Sequence, residues 1–594
     1  MDASLMPRRS EHGDARLVLA TTPLTSPGTP PYEFAAACLS QNPLRGLGWM
    51  KRSRGPYTIH HRGMAKPGGW RRVVILLLLS LPLLLLLLLS AERRVLIASE
   101  SRLLRLVTAR GSATGQDRLL GGLLADGVDE RSCQSRYQSA MYRRKAGRKP
   151  SPYLVSKLRR HEALQQRCGP GTAAYSEAAE HLRSGKNAGV IGSPDCKYLV
   201  SISYRGLGNR MLAAASAFLY AVLTDRVLLV DPSNEMGELF CEPFPGTTWL
   251  LPPDFPLTSY TNFSADTAES YGNMLKKKVI GASSTRAEQL PPFAYIHLDH
   301  DYTDEDKLFF CDEDQRVLRD IRWLVMRTDN YIVPGLFLAT GFQEELDMLF
   351  PEPDTVFHHL GRYLFHPNNH VWGLVTRYHD AYLAAANQRV GIQVRVFGNV
   401  PESPEVLEQI TSCTQKEGLL PEVLAVGTAT APPTPGGKSI AVLVTSLKTW
   451  YYDKIKSMYW EHATATGEAV GVHQPSHEEH QQFGAKSHDA KAWAEIYLLS
   501  LTDVLVTTGW STFGYVAQGL GGLTPLIMYK PDDNGSVVPD PPCSRDLSME
   551  PCFHAPPYYD CRLKKGADTG KIVPHVQNCK DMSWGLKLAP RSAT

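Results

Sequence analysis

Residues 196–231 read CKYLVSISYRGLGNRMLAAASAFLYAVLTDRVLLVD, and they decide the fold. Residues 198–203 form a short β-rich run. Residues 205–210 (RGLGNR) form a glycine-bearing turn with two cations. Residues 211–224 are rich in Ala and Leu and contain no Pro or Gly, as a helix interior requires. Residues 226–230 (RVLLV) are a second β-branched run, closed by Asp231-Pro232. Two parallel strands need such a crossover helix between them. A ligand then sits at the carboxyl end of the first strand, against the helix N-terminus. Free backbone N–H groups and the helix dipole favour an anion there. The stretch therefore predicts a phosphate-bearing ligand, with Arg205 and Arg210 adding charge. A dinucleotide fingerprint fits poorly. Gly206-x-Gly208 is present, and Asp231 lies at a distance suited to a ribose, but Met211 stands where the third glycine belongs.

At 594 residues the chain exceeds one hydrophobic core and predicts about two folded domains with added segments. Hydrophobic residues make up 43% and charged residues 21%, a globular balance. A formal net charge of +3 gives no electrostatic reason to expect a nucleic acid or another polyanionic partner. Of eleven cysteines only Cys38 precedes residue 73; the other ten follow it, an even number suited to an oxidising compartment. Their pairing is open at this point.

Residues 1–72 are rich in Pro, Ser, Thr, Gly and Arg without periodicity and read as a disordered cytosolic tail. Residues 73–91 (VVILLLLSLPLLLLLLLSA) are nineteen residues without a charge, enough to span a bilayer. A signal peptide would need its apolar core close to the N-terminus, and seventy-two residues precede this one. Lys51, Arg52, Arg54, Arg62, Lys66, Arg71 and Arg72 precede the run, while Arg93, Arg94, Arg102, Arg105 and Arg110 follow it. That bias toward a cytosolic N-terminus is modest. The cysteines and two glycosylation sequons, at Asn262 and Asn534, add to it. The reading is a type II anchor with the bulk of the chain lumenal, and a short span suits the thinner early secretory membranes.

Residues 92–118 read as a stem. After them comes an α/β region over 119–388, with a helix within 151–171, a strand at 294–297, strand or helix at 319–326, a strand at 331–338, and helices at 355–363 and 371–388. A second α/β region over 389–540 predicts strands at 390–397, 439–446, 468–473, 503–507 and 525–529. Helices are predicted at 405–417, 450–464, 487–501 and 511–520. Strands alternating with helices imply parallel sheets. Residues 541–594 hold Cys543, Cys552, Cys561 and Cys579 among prolines and read as a disulfide-tied extension, with zinc the alternative. Two α/β domains facing each other across a cleft are a common scaffold for nucleotide-sugar chemistry, an analogy that does not itself fix function.

Three features carry chemistry. Arg395 is a charge inside an otherwise apolar strand. Such a charge needs a partner. It either grips a diphosphate with its forked donors or pairs with a carboxylate such as Asp503. Gly509-Trp510-Ser511-Thr512-Phe513-Gly514 follows a buried strand and opens a helix. Its hydroxyls either cap that helix or help its free N–H groups hold phosphate oxygens. The third is 298–315 (LDHDYTDEDKLFFCDEDQ), the most acidic stretch. Asp299, Asp301, Asp304 and Asp306, with His297 and His300 beside them, either form a solvated loop, supply a general base, or hold a metal through a DxD pattern.

The segments GLGNRMLAAASAFLYAVLTDRVLLVD, FCEPFPGTTWLLPPDFP, HDYTDEDKLFFC, GIQVRVF, CTQKEGLLPEV and WSTFGYVAQGLGGLTPLIMYKP, in this order from Leu119 onward, resemble the plant xyloglucan-type galactoside 2-α-L-fucosyltransferases. The resemblance implies a GT-B-like pair of Rossmann-like domains and an inverting, metal-independent enzyme of the Golgi lumen that needs no cofactor. It implies transfer of L-fucose from GDP-fucose to O2 of a terminal galactose on a cell-wall polysaccharide or proteoglycan, and leaves a homodimer open. By motif, Gly208, Asn209 and Arg210 border the GDP phosphates and Arg395 holds the diphosphate. Ser511, Thr512 and Phe513 complete the nucleotide pocket. Gln393 stands where the wider fucosyltransferase group has the His of a His-x-Arg, and Gly398 where close relatives often carry an acid. Asp301 is the first candidate for a base and Asp299 the second. Two readings compete: a glycan-binding protein without catalysis, and a transferase for another nucleotide sugar. Intact Arg395 and 511–514 speak against the first.

Overall fold

The computed structural model describes residues 117–145, 147–185, 196–233, 235–281, 290–396, 401–425, 437–482, 484–529, 537–561, 565–566 and 573–591. The tail, the apolar run at 73–91, nearly all of the stem, Gly398 and Asn534 lie outside these residues. Among the described residues no helix is long and apolar enough to cross a membrane.

After a short helical stretch at Gln134–Gln138 comes α1 (Pro152–Cys168), whose N-cap Ser151 accepts from Leu154 N. The 196–231 stretch then folds as β1 (Lys197–Ile202), α2 (Leu207–Leu223) and β2 (Arg226–Val230), with β1 and β2 parallel. The helix starts at Leu207 rather than at 211, so Gly208, Asn209 and Arg210 form its first turn. Gly206 is its N-cap and offers no side chain to cap it. Almost every residue of α2 is buried, which an all-round apolar helix demands. β3 (Phe293–His297), α3 (Asp312–Asp320) and β4 (Trp323–Arg327) complete a four-stranded parallel sheet of order β2-β1-β4-β3. The edge strand β2 is covered by α1. The Gln165 amide accepts from Leu228 N and donates to Leu228 O, both at 3.0 Å, standing in for a neighbouring strand.

Residues 331–338 do not extend as expected. Pro334 and Gly335 sit in a one-turn helix, Val333–Leu336. The helical run at 371–388 is shorter too: Asn369–Tyr378 is α-helical and passes into a π turn at His379–Leu383. Before it lies α4 (Val356–Leu364).

The second sheet contains β5 (Gln388–Val394), β6 (Ser439–Ser446), β7 (Ala469–His473), β8 (Val504–Thr508), β9 (Leu526–Met528) and β10 (Ser544–Arg545), in the order β10-β9-β8-β5-β6-β7. Only β10 is antiparallel to its neighbour. Its connecting helices are α5 (Pro404–Lys416), α6 (Thr449–Glu461), α7 (Lys486–Leu499) and α8 (Thr512–Gly521).

The ten cysteines beyond residue 73 form five disulfides: Cys133–Cys241, Cys168–Cys196, Cys311–Cys561, Cys413–Cys543 and Cys552–Cys579. This removes the zinc alternative for the C-terminal cysteines, since their thiols are consumed. The C-terminal segment is also built into both halves. Cys561 ties it to the loop before α3, β10 joins the second sheet, and β13 (Val576–Asn578) pairs with β14 (Leu586–Leu588); the short ribbon β11 (Tyr559–Asp560) and β12 (Lys565–Gly566) lies between.

Glu550 from this segment is fully buried. It accepts from Tyr331 Oη at 2.6 Å and from Phe357 N at 2.7 Å. Burial pushes its carboxyl from 4.5 to about 8. Between pH 4.5 and 8 the folded chain therefore holds a proton that the unfolded chain has lost, so stability falls as pH rises through that window. Glu550→Gln keeps an acceptor for Phe357 N and imitates the protonated acid. The expected result is a Tm that declines less steeply from pH 4.5 to 8 than that of the wild type, read by thermal melts across the window.

Candidate active site

Each sheet changes direction at one point. In the first, β2 lies on one side of β1 and β4 on the other; in the second, β6 and β8 flank β5. Ligands of open α/β sheets bind outside the carboxyl ends of strands at such points. Here the loops from both points line one cavity of about 600 Å³. The first sheet contributes Tyr204–Gly206 and the first turn of α2; the second contributes Gln393–Arg395 and Trp510–Phe513.

The N-termini of α2 and α8 touch. A Cβ on Gly208 would stand 2.8 Å from Thr512 C and Oγ1 and 2.9 Å from its carbonyl oxygen, so only glycine permits this approach. Thr512 Oγ1 donates to Asn209 Oδ1 at 3.0 Å, and Asn209 Nδ2 donates to Asp329 O at 2.9 Å. Ser511 is the N-cap of α8, and its Oγ accepts from Gly514 N. Two helix N-termini, with their unsatisfied N–H groups, thus face one space.

Arg395 is not buried inside its strand: β5 ends at Val394, and Arg395 is the first residue beyond it. Its backbone N–H donates to Thr508 Oγ1 at 3.0 Å, and Nη2 donates to Gln481 Oε1 at 3.3 Å. Burial lowers its pKa. Asp503 is engaged at the other end of the sheet by Arg389, at 3.3 Å, and by Arg144, at 2.9 Å. Gln393 lines the cavity while its Oε1 accepts from Thr507 Oγ1 at 2.7 Å.

The cavity lining thus includes Gly208, Asn209, Gln393, Arg395, Ser511, Thr512 and Phe513. Arg210 is not in the lining but is buried against it: Nη2 meets Asp489 Oδ2 on α7 at 2.6 Å, tying the two halves together, and Asp489 lines the cavity. Asp299 and Asp301 are outside the lining. Asp299 is buried against Arg327 Nε at 2.8 Å, and burial foremost, with Asp329 next, raises its pKa. Asp301 is exposed and meets His297 Nε2 at 3.0 Å. Partial burial would raise its pKa, but the hydrogen bond and charge of His297 outweigh it and the net shift is downward. The acidic loop reaches the cavity wall through Asp329, which contacts Arg205 Nε at 3.4 Å and His300 Nδ1 at 3.2 Å. Asp304 pairs with Lys307 at 2.6 Å, and Asp306 accepts from Thr303 N and Oγ1. Among the described residues the one metal-like grouping is Cys552, Cys579 and Asp581, and those two cysteines form a disulfide.

The sequence reading missed several lining residues. Glu495 shares one face of α7 with His488 and Ala492. Ser476 Oγ donates to it at 2.5 Å, and burial pushes it up to about 7. Its signal was an acid inside an apolar helical run, AEIYLL. His554 comes from the C-terminal segment. Trp510 has a left-handed backbone, φ +63°, which a bulky residue rarely adopts without support. Asp581 supplies it: Trp510 N donates to Asp581 Oδ2 at 2.9 Å, the indole N–H donates to its carbonyl, and Tyr515 Oη donates to its carboxylate.

A family model described as xyloglucan fucosyltransferase matches residues 100–562. The chain belongs to the xyloglucan fucosyltransferase family. It is 56% identical over 477 residues to the galactoside 2-alpha-L-fucosyltransferase of Pisum sativum, covering 80% of this chain and 82% of the relative. Identity to the enzyme of that name from Arabidopsis thaliana is 55% over 499 residues, 83% of this chain and 87% of the relative. A solved structure of a mutant of Arabidopsis thaliana FUT1 in complex with GDP superposes with a TM-score of 0.73 at 56% identity, covering 80% of this chain and all of that one.

Proposed function

We propose that this chain is an inverting, metal-independent fucosyltransferase that moves L-fucose from GDP-fucose to O2 of a terminal galactose on a cell-wall glycan, forming an α-1,2 linkage. The observation that carries the reading is the meeting of two helix N-termini and Arg395 around one cavity, in a chain with this family membership. Breaking the fucosyl–phosphate bond puts negative charge on GDP. Arg395 and the N–H groups at Gly208, Asn209, Thr512 and Phe513 take up that charge as it develops. Gln393 and Ser511 shape the diphosphate floor. Arg210, through Asp489, holds the two α/β halves in register as a GT-B-like pair rather than touching the phosphates.

The fucosyl carbon gains cation character, and the galactose hydroxyl attacks the opposite face. Asp301, ionised but outside the cavity lining, is the first candidate to take the proton, and Asp299 is the second. Asp301→Asn is expected to lower kcat by roughly a hundredfold with GDP affinity unchanged, read from steady-state rates and calorimetry. An unchanged kcat would leave the proton to water and a dissociative transition state.

The ten paired cysteines support a lumenal fold. We place a type II Golgi-membrane anchor at 73–91, domains at 119–388 and 389–540, and the extension at 541–594. Asn262 is exposed and open to a glycan, and Asn534 is proposed as a second glycosylation site from its sequon. Acceptors are galactose-terminated xyloglucan or arabinogalactan. The test is GDP release by the full-length chain with each acceptor and a panel of sugar nucleotides: turnover only with GDP-fucose is expected, and none with any acceptor would sink the reading.

A further inference from the structure

Among the described residues few large apolar side chains stand in water, and Trp584 is one, 50% exposed. Its ring lies 5.6 Å from that of Trp510, edge to face, and Trp510 lines the cavity. The two indoles thus continue the cavity wall outward. The segment carrying Trp584 is held firmly. Cys579 N donates to Gly585 O at 3.0 Å, Gly585 N donates to Met582 O at 2.9 Å, and Tyr558 Oη donates to the Trp584 carbonyl. Nothing in these contacts needs the indole itself. The acidic loop borders the same segment: Tyr302 Oη donates to Ala555 O at 2.7 Å, beside His554 in the cavity wall.

We propose that Trp584 is an acceptor subsite, a platform on which a neutral sugar ring next to the terminal galactose stacks while that galactose enters the cavity. The proposal rests on the fucosyl-transfer reading. One face of a pyranose ring presents C–H groups, whose partial positive charge suits the negative face of an indole, while its hydroxyls stay in water. Aromatic side chains are a usual apolar part of small-molecule sites, and Trp584 adjoins one through Trp510. The occupant is a sugar chain because the patch continues the reaction cavity.

The test compares a galactose-terminated xyloglucan oligosaccharide with methyl β-galactoside, which lacks the neighbouring ring, using the full-length chain. With Trp584→Ala the KM for the long acceptor is expected to rise roughly tenfold, the effect of one lost stacking contact. The KM for methyl β-galactoside and for GDP-fucose and kcat stay at wild-type values, and Trp584→Phe keeps most of the preference. Calorimetric titration of the oligosaccharide into the GDP-bound protein, which needs no turnover, is expected to show the same weakening. Unchanged long-acceptor KM and affinity in Trp584→Ala would overturn the proposal, as would an equal loss for both acceptors or a switch from dimer to monomer with unchanged KM. If the wild type transfers no fucose but binds the oligosaccharide through Trp584, the functional reading fails and the subsite stands.

Discussion

Replacing Arg395 with alanine is expected to lower kcat/KM for fucosyl transfer by roughly a thousandfold while the protein stays folded. The side chain lines the cavity beyond the end of β5, and its Nη2 donates to Gln481 Oε1 there. Its proposed work is electrostatic. A guanidinium presents two parallel donors to a diphosphate, and its charge rises in value as the leaving group becomes more negative. Arg395→Lys keeps a point charge but loses the fork, so an intermediate loss is expected. Thermal melts should stay close to wild type, because the backbone bond from Arg395 N to Thr508 survives either change. Steady-state kinetics and GDP calorimetry read both effects. Full activity in the alanine variant would remove Arg395 from the phosphate site.

Gly208→Ala should be nearly as damaging for a different reason. By helix propensity alone, alanine is favoured over glycine by roughly 1 kcal/mol. Here the added Cβ would stand 2.8 Å from the Thr512 carbonyl carbon and Oγ1. Backbone cannot swing aside as a long side chain can, so the N-terminus of α8 must retreat from that of α2. The Asn209–Thr512 bond at 3.0 Å is strained or lost, and the two sets of N–H groups no longer converge. A displacement on this scale costs on the order of a hundredfold in rate. The expected outcome is that loss in kcat/KM with a destabilisation of roughly 1–3 kcal/mol from overpacking. A variant with wild-type kinetics would show that the close approach of the helices is not needed for catalysis.

Local patterns in the sequence located most strands and helices because their signals are local. Period, β-branching and Pro-Gly punctuation placed β1, β2, β6 and α7 within a few residues. The start of α2 was missed because Gly206 caps nothing with a side chain and LGNR resembles a turn. Residues 331–338 look like a strand by apolarity, but Pro334 and Gly335 force a turn of helix. The candidate site was legible where a motif lines the cavity itself, as with Gly208, Asn209, Arg395 and 511–513. It was not legible where a partner comes from far along the chain. Arg210 pairs with Asp489, a carboxylate 279 residues away that no local pattern reveals. Asp581, which holds Trp510, and His554, which closes the wall, lie in a segment that read as an appendage. Glu495 carried a signal, an acid in an apolar helix, that pointed to burial but not to this cavity.

The most direct test of the central reading is product analysis with labelled donor. The full-length chain is incubated with GDP-fucose carrying ¹³C at the anomeric carbon and a galactose-terminated xyloglucan oligosaccharide, and the product linkage is read by NMR. The expected product is a single α-fucosyl group on O2 of the terminal galactose, formed by the wild type and reduced to trace levels by Arg395→Ala. Absence of fucose from the oligosaccharide, a different linkage, or equal product from Arg395→Ala would contradict it.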